Sequence, residues 1–218
     1  ENAARYGYQG IEIRGILDQM DLPLCPEFSS QQAIKNSLKK AKKHRVKIVG
    51  LGASARLHDA DPSLRAKNLD EARRFIDLAQ QLKCPYVRVF PNNLPKNQDR
   101  EETIKLIIAG LKELGDYARN ANVTVLLESH GEVVGKDLLH RIMQESEHPN
   151  VGLIWDIFNM WSVTKETPRE VYDLLGKYIR HVHIKDAIRE GEKWRYVQVG
   201  QGVAPLKEAM SALIKGGY

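Results

Sequence analysis

The stretch "YIRHVHIKDA", residues 178–187, decides how this chain is read. Its apolar and β-branched residues mark a strand with a buried face. Yet it carries His181, His183, Lys185 and Asp186. Strand side chains alternate between faces. Val182, Ile184 and Asp186 therefore share one face, and His181, His183 and Lys185 the other. If the apolar face meets helices, the histidines and the lysine point to the inside of a curved sheet.

Five other short apolar runs read as strands: "GIEIR" (10–14), "VKIVGL" (46–51), "YVRVF" (86–90), "VTVLLES" (123–129) and "VGLIWD" (151–156). The same alternation applies to them. Ile11 and Ile13 alternate with Glu12 and Arg14. Val87 and Val89 alternate with Arg88. Val125 and Leu127 alternate with Glu128 and His130. Leu153 and Trp155 alternate with Ile154 and Asp156. Charged groups thus gather toward the C-terminal ends of several strands, on one face. Burying a single unpaired charge is strongly unfavourable. The same choice made on five strands points to a shared polar site.

Helical patterns lie between the strands. In "NLDEARRFIDLAQQLK" (68–83), Ala72, Phe75, Ile76, Ala79 and Leu82 recur at helical spacing. Asn68, with Glu71 three residues on, predicts an N-cap there. In "ETPREVYDLL" (166–175), Thr167, Pro168 and Glu170 supply cap, first-turn proline and N3 carboxylate. Further helices are expected near 31–44, 101–120, 136–146 and 205–215. The basic run "SLKKAKKHR" (37–45) reads as a solvated helix face.

Alternating β and α elements argue for parallel strands with crossover helices. Strand starts fall about 30 to 40 residues apart, against a unit of about 31 in a (β/α)8 barrel. A doubly wound open sheet has a similar rhythm. The ends of the chain favour the barrel. "ENAARYGYQGIEI" reads as the end of a helix followed by a strand, and "LKEAMSALIKGGY" as a helix with no strand after it. Six strands, with one expected before and one after, make eight. The expectation is a single α/β domain over 1–218, a (β/α)8 TIM barrel with its first and last strands missing from this chain. Two unpaired sheet edges would then invite a homodimer.

The composition is that of an ordinary globular chain. It has 218 residues, 42% of them hydrophobic and 28% charged. A net charge of +5 allows contact with phosphates or nucleic acid but does not require it. Cys25 and Cys84 lack the spacing of a zinc site or a disulfide framework, so reduced thiols are expected. No run approaches the roughly 18 apolar residues of a membrane span. No signal peptide is visible, and a cytoplasmic location is expected. The chain opens on Glu1 rather than Met, so a preceding segment is also expected.

A lone strand histidine is more often a hydrogen-bonded core residue than a metal ligand. Glu128, Asp156 and His183 together reverse that reading. Two carboxylates and an imidazole suit one divalent ion such as Mn²⁺, Co²⁺, Mg²⁺ or Zn²⁺.

With "GYQGIEIRG", "YVRVFPN", "VLLESHG", "GLIWDIFNMW", "RHVHIKDA" and "VGQGVAP" in this order, the chain resembles the xylose isomerase-like TIM barrels, the sugar phosphate isomerase/epimerase family. Each segment is degenerate alone, but their order and spacing are fairly specific. The resemblance implies a metal held by Glu128, Asp156 and His183, with a fourth ligand, a Glu on the eighth strand, beyond Tyr218. It implies that Arg189, six residues after the metal His, contacts substrate. A His three residues after the metal Asp is common in the ketose epimerases; here the position is Asn159, which departs from that pattern. An amide can hydrogen-bond a hydroxyl but cannot serve as a cation or an acid. Gln201 lies in a loop that often reaches substrate. His130, Lys185 and Glu12 are candidate substrate contacts by strand parity, and Arg88 is a candidate for a carboxylate or phosphate. Asp186 points outward by parity.

The implied activity is metal-dependent isomerisation or epimerisation of a sugar, sugar phosphate or polyol derivative. The metal would polarise a carbonyl, Glu128 or the eighth-strand Glu would remove the neighbouring proton, and an enediolate would form. Dehydratases of the same superfamily use related chemistry, so a lyase is the near alternative. A non-catalytic sugar-binding module is the alternative of another class. The endonuclease branch cuts DNA with three metals and needs further histidines and aspartates. "LGASARL" and "RVFPNN" lack them, so no nucleic-acid partner is expected.

Overall fold

The computed structural model describes residues 1–218. Six strands run parallel: β1 (Gly10–Ile13), β2 (Lys47–Arg56), β3 (Tyr86–Phe90), β4 (Thr124–Glu128), β5 (Val151–Asp156) and β6 (Ile179–His183). They pair in chain order, β1 to β6, with no reversal. A doubly wound sheet reverses its order at a switch point. Without a reversal, right-handed crossovers place the helices on one side of the sheet, and its twist curls it into a barrel arc. The arc comprises six of the eight strands of a (β/α)8 barrel, and β1 and β6 are not hydrogen-bonded to each other.

The helices are α1 (Asn2–Arg5), α2 (Gln31–Lys43), α3 (Pro62–Leu82), α4 (Arg100–Ala118), α5 (Lys136–Glu145), α6 (Ile157–Thr164), α7 (Pro168–Leu175) and α8 (Leu206–Lys215). A cluster of 44 buried residues fills the space between helices and sheet, including Phe75, Ile76, Leu111, Leu114, Leu153 and Trp155. Phe75, Ile76, Leu153 and Trp155 are apolar positions of the helix and strand patterns read above. The lysines of 37–45 are exposed, and both cysteines are buried free thiols. No helix is long and apolar enough to cross a membrane.

The α7 cap forms as expected. Thr167 accepts from the Glu170 backbone N–H, and the Glu170 carboxylate accepts from the Thr167 backbone N–H at 3.1 Å. Thr167→Ala is expected to cost about 1 kcal/mol, read as a lower urea midpoint with unchanged slope.

Three local expectations need correction. Helix α3 starts at Pro62, capped by Asp61, not at Asn68. Proline at the first position and the Asp61 carboxylate on the Ser63 and Leu64 N–H groups are the stronger start signal. Asn68 instead faces the end of β2 from inside the helix, accepting from Arg56 N–H at 2.8 Å and donating to Asp59 at 2.9 Å. Strand β2 extends through "GASAR" to Arg56, and Gly52 within it leaves room for the Arg14 and Arg88 side chains.

The third correction concerns the opening stretch. Strand β6 ends at His183, and Asp186 begins an antiparallel ribbon, β7 (Asp186–Glu190) with β8 (Lys193–Val197), turning at Gly191. Strand parity therefore does not carry to Asp186. It is buried, and its carboxylate accepts from the backbone N–H groups of Ala187, Gly200, Gly202 and Ala204 at 2.8–3.1 Å.

Candidate metal and substrate site

The register of the sheet builds the site. Glu12 on β1 stands opposite Gly50, Gly52 opposite Arg88, Glu128 opposite Ile154, Ile154 opposite His181, and Asp156 opposite His183. These residues therefore point to the inside of the arc. Gly50 and Gly52 make the space. A Cβ at Gly52 would press on the Arg88 guanidinium and on Arg14 Cδ. Arg14 reaches across β2 to Ser54 Oγ at 2.8 Å. The glycines of β2 thus hold a layer of charged side chains in the interior.

Glu128, Asp156 and His183 each offer a ligand atom within 4.8 Å of one another. His183 Nδ1 lies 3.4 Å from Glu128 Oε1 and 4.0 Å from Asp156 Oδ2. Glu128 is buried and pairs with buried Arg88 at 3.4 Å. Arg88 also lies 3.8 Å over the Phe90 ring. Burial raises the Glu128 pKa, but His183 and Arg88 outweigh it and hold the carboxyl below its usual range.

Asp156 has two distinct oxygens. Oδ1 caps α6, accepting from the Asn159 N–H at 2.9 Å. Oδ2 is fully buried and faces Lys185 and His183. Lys185 Nζ lies 2.6 Å from it, a close ion pair. A buried carboxylate is unfavourable unless positive charge lies beside it, and Lys185 supplies such charge here. The arrangement fits a cation coordinated from Asp156, Glu128 and His183.

Glu12 and Lys185 join this cluster. Glu12 Oε2 lies 2.9 Å from His183 Nε2 and 3.2 Å from His181 Nε2. These contacts bridge β1 and β6, which share no backbone hydrogen bonds. Burial raises the Glu12 pKa, but the two imidazoles outweigh it and hold the carboxyl far below its usual range. For His183, burial disfavours the charge, yet Glu12 and Glu128 raise its pKa well above the ordinary value. Lys185 lies past the end of β6 and reaches both Asp156 and Asn159 Oδ1, the latter at 3.3 Å.

The other candidates divide. The Asn159 side chain donates to Ser129 O at 3.4 Å. His130 packs on Phe90 at 4.6 Å between ring centres, and its buried Nδ1 has no partner. Burial first, with Lys185 and Arg88 adding to it, lowers the His130 pKa. Arg189 lies on the exposed ribbon, donating to Gly191 O at 3.0 Å with its guanidinium 4.9 Å over Trp194. Gln201 is exposed in the loop held by Asp186 and bonds Gln198. Neither contacts the acidic cluster.

Three features were not assigned roles from the sequence. His181 belongs to a second group with Glu12 and His183; its inward parity was a signal. Ser129 Oγ accepts from the Asp156 N–H at 2.9 Å and supports the end of β5. The glycine-rich run of β2 could have been found as small residues at alternate positions of a strand. A pocket of about 300 Å³ beside His148, Val151 and Tyr178, at the start of β5, includes none of the cluster residues.

A barrel arc with carboxylates and imidazoles at the C-terminal ends of its strands has its site where TIM-barrel enzymes place theirs. The chain belongs to the xylose isomerase-like TIM barrel family, whose model matches residues 1–218. Fructoselysine 3-epimerase of Shigella flexneri is 26% identical over 228 residues, spanning 100% of this chain and 80% of that protein. Inosose dehydratase of Geobacillus thermodenitrificans is 29% identical over 136 residues, 54% of this chain and 45% of its own. A crystal structure of the IOLI protein with a binding zinc atom matches at a TM-score of 0.83 and 24% identity, over 99% of this chain and 78% of that one.

Proposed function

We propose that this protein is a divalent-metal-dependent epimerase or isomerase of a sugar, sugar phosphate or polyol derivative. The observation that carries the reading is the convergence of Glu128, Asp156 and His183 ligand atoms within 4.8 Å of one another at the C-terminal ends of three strands. A bound cation would supply Lewis-acid polarisation of a substrate carbonyl, which acidifies the neighbouring C–H. Mn²⁺, Co²⁺, Mg²⁺ and Zn²⁺ all fit the donor set.

The chain's own residues do the rest. Glu128 is the proposed base, placed by Arg88, and exchanges a proton with the substrate carbon so that an enediolate forms. Lys185 and Asn159 line the same side and bind substrate oxygens. His130, with its buried free nitrogen, orients a hydroxyl. Glu12 acts through His183. Arg88 neutralises charge at Glu128 or meets an anionic substrate group. Arg189 and Gln201, on the ribbon and its following loop, are contacts for the outer part of the substrate. The similarity to fructoselysine 3-epimerase supports ketose derivatives as the substrates to try first.

The similarity to inosose dehydratase supports dehydration as the second reading. One experiment separates the two. The Mn²⁺-loaded protein is incubated in D₂O with ketohexoses, ketopentose phosphates, fructoselysine and inosose, and the products are read by NMR and mass spectrometry. An epimerase introduces one deuterium at the inverted carbon; a dehydratase gives a product lacking one water. No exchange and no elimination with any of them, despite saturable sugar binding, would support the sugar-binding module instead.

A further inference from the structure

We propose that Glu12 is the positioning carboxylate of His183. It receives the Nε2–H of that imidazole and so turns the Nδ1 lone pair toward Glu128 and Asp156. This inference rests on reading Glu128, Asp156 and His183 as a cation site.

The geometry around His183 is directional. Its Nε2 meets Glu12 at 2.9 Å, while Nδ1 faces Glu128 and Asp156 at 3.4 and 4.0 Å. A neutral imidazole carries one N–H, and an ionised carboxylate can only accept. Contact with ionised Glu12 therefore places the proton on Nε2. The lone pair that a cation needs is then on Nδ1, on the side of the two other ligands. A carboxylate behind a metal-binding imidazole also fixes the ring's orientation and raises its basicity.

Glu12 is itself held in place. Its register partner is Gly50, and a Cβ there would lie 3.2 Å from Glu12 Cγ. The missing side chain is the slot in which the Glu12 stem lies. His181 Nε2 approaches the same Glu12 oxygen from a second direction at 3.2 Å. Two imidazoles and a glycine slot leave this carboxylate little freedom.

Glu12, His181 and His183 could also be read as a second cation site. That reading requires His183 to give up the Nε2 proton while Nδ1 serves the first site. An imidazole ligated at both nitrogens is an anion, a harder state to reach than the neutral ring hydrogen-bonded to Glu12. We therefore favour the positioning role.

The test compares wild type, Glu12→Ala and Glu12→Gln. Co²⁺ affinity is measured by chelator competition, ion count by elemental analysis, and imidazole ¹⁵N spectra with Zn²⁺ and, without metal, in alkaline solution where the rings are neutral. The alanine variant should bind Co²⁺ about 10–100-fold more weakly, still at one ion per chain. The glutamine variant should recover most of that loss, because its amide oxygen still accepts from Nε2–H. Wild-type His183 should show the Nε2–H tautomer and Glu12→Ala a mixture. Equal Co²⁺ affinity in the alanine variant, or an Nδ1–H tautomer in metal-free wild type, overturns the proposal. So does a second ion in wild type that Glu12→Ala loses. If wild type binds no Co²⁺, the cation-site reading fails by itself, and the metal-free spectra still decide the orientation of His183.

Discussion

His183→Ala should leave the protein folded but unable to retain a divalent cation through gel filtration. His183 supplies the only nitrogen in the Glu128, Asp156 and His183 group. Without it, two carboxylates remain, and each already has a cation beside it: Arg88 at Glu128 and Lys185 at Asp156. The loss should exceed the roughly 10–100-fold that follows removal of a partner behind a ligand. The fold should survive because Glu12 keeps His181 and Glu128 keeps Arg88. Elemental analysis beside a metal-free thermal melt reads both effects. A variant that keeps one tightly bound ion would show that His183 is not a ligand. In wild type the ion must also displace a proton, since Glu12 and Glu128 raise the His183 pKa despite its burial. Metal uptake should therefore weaken as the solution is acidified.

Asp186→Ala should have the largest effect on stability outside the apolar core. One buried carboxylate accepts four backbone N–H groups, three of them from the loop of Gly200, Gly202 and Ala204. Gly202 comes so close that a Cβ there would collide with this carboxylate and with the Ala187 carbonyl. Each orphaned donor costs about 1–3 kcal/mol, less where water enters, so a loss of about 2–4 kcal/mol is expected. Asp186→Asn, with one neutral acceptor, should fall between.

The pH dependence has a definite sign. Burial pushes the Asp186 carboxyl up, but the N–H groups of Ala204, Gly202, Gly200 and Ala187 outweigh it, and its pKa is lowered. Its contribution is therefore complete above the unfolded value of about 4 and is lost as pH falls through the lowered folded value. Urea midpoints across an acid pH series, with limited proteolysis of 198–204, check this. Equal midpoints for wild type and Asp186→Ala would rule out the latch.

Much of this was legible before the fold was known. The two-residue period marked Glu12, Arg88, Glu128, Asp156 and His183 as inward-facing, because a strand has only two faces and the apolar one meets the helices. Thr167, Pro168 and Glu170 marked a helix start because capping is local. Parity failed at Asp186, since no local pattern announces that β6 stops at His183 and a ribbon begins. It also gave Lys185 the right destination for a different reason. That residue reaches Asp156 from beyond the strand.

The sequence by itself determined the alternation of strands and helices and the kinds of side chain that turn inward. Both follow from short-range periodicity and from the cost of burying unpaired charge. Only the tertiary structure decided which of those groups meet. Glu12 touches His183 across 171 residues of chain, and Asp186 gathers a loop 14 to 18 residues away. Those contacts depend on the register between neighbouring strands and the curvature of the whole sheet, which no local pattern encodes.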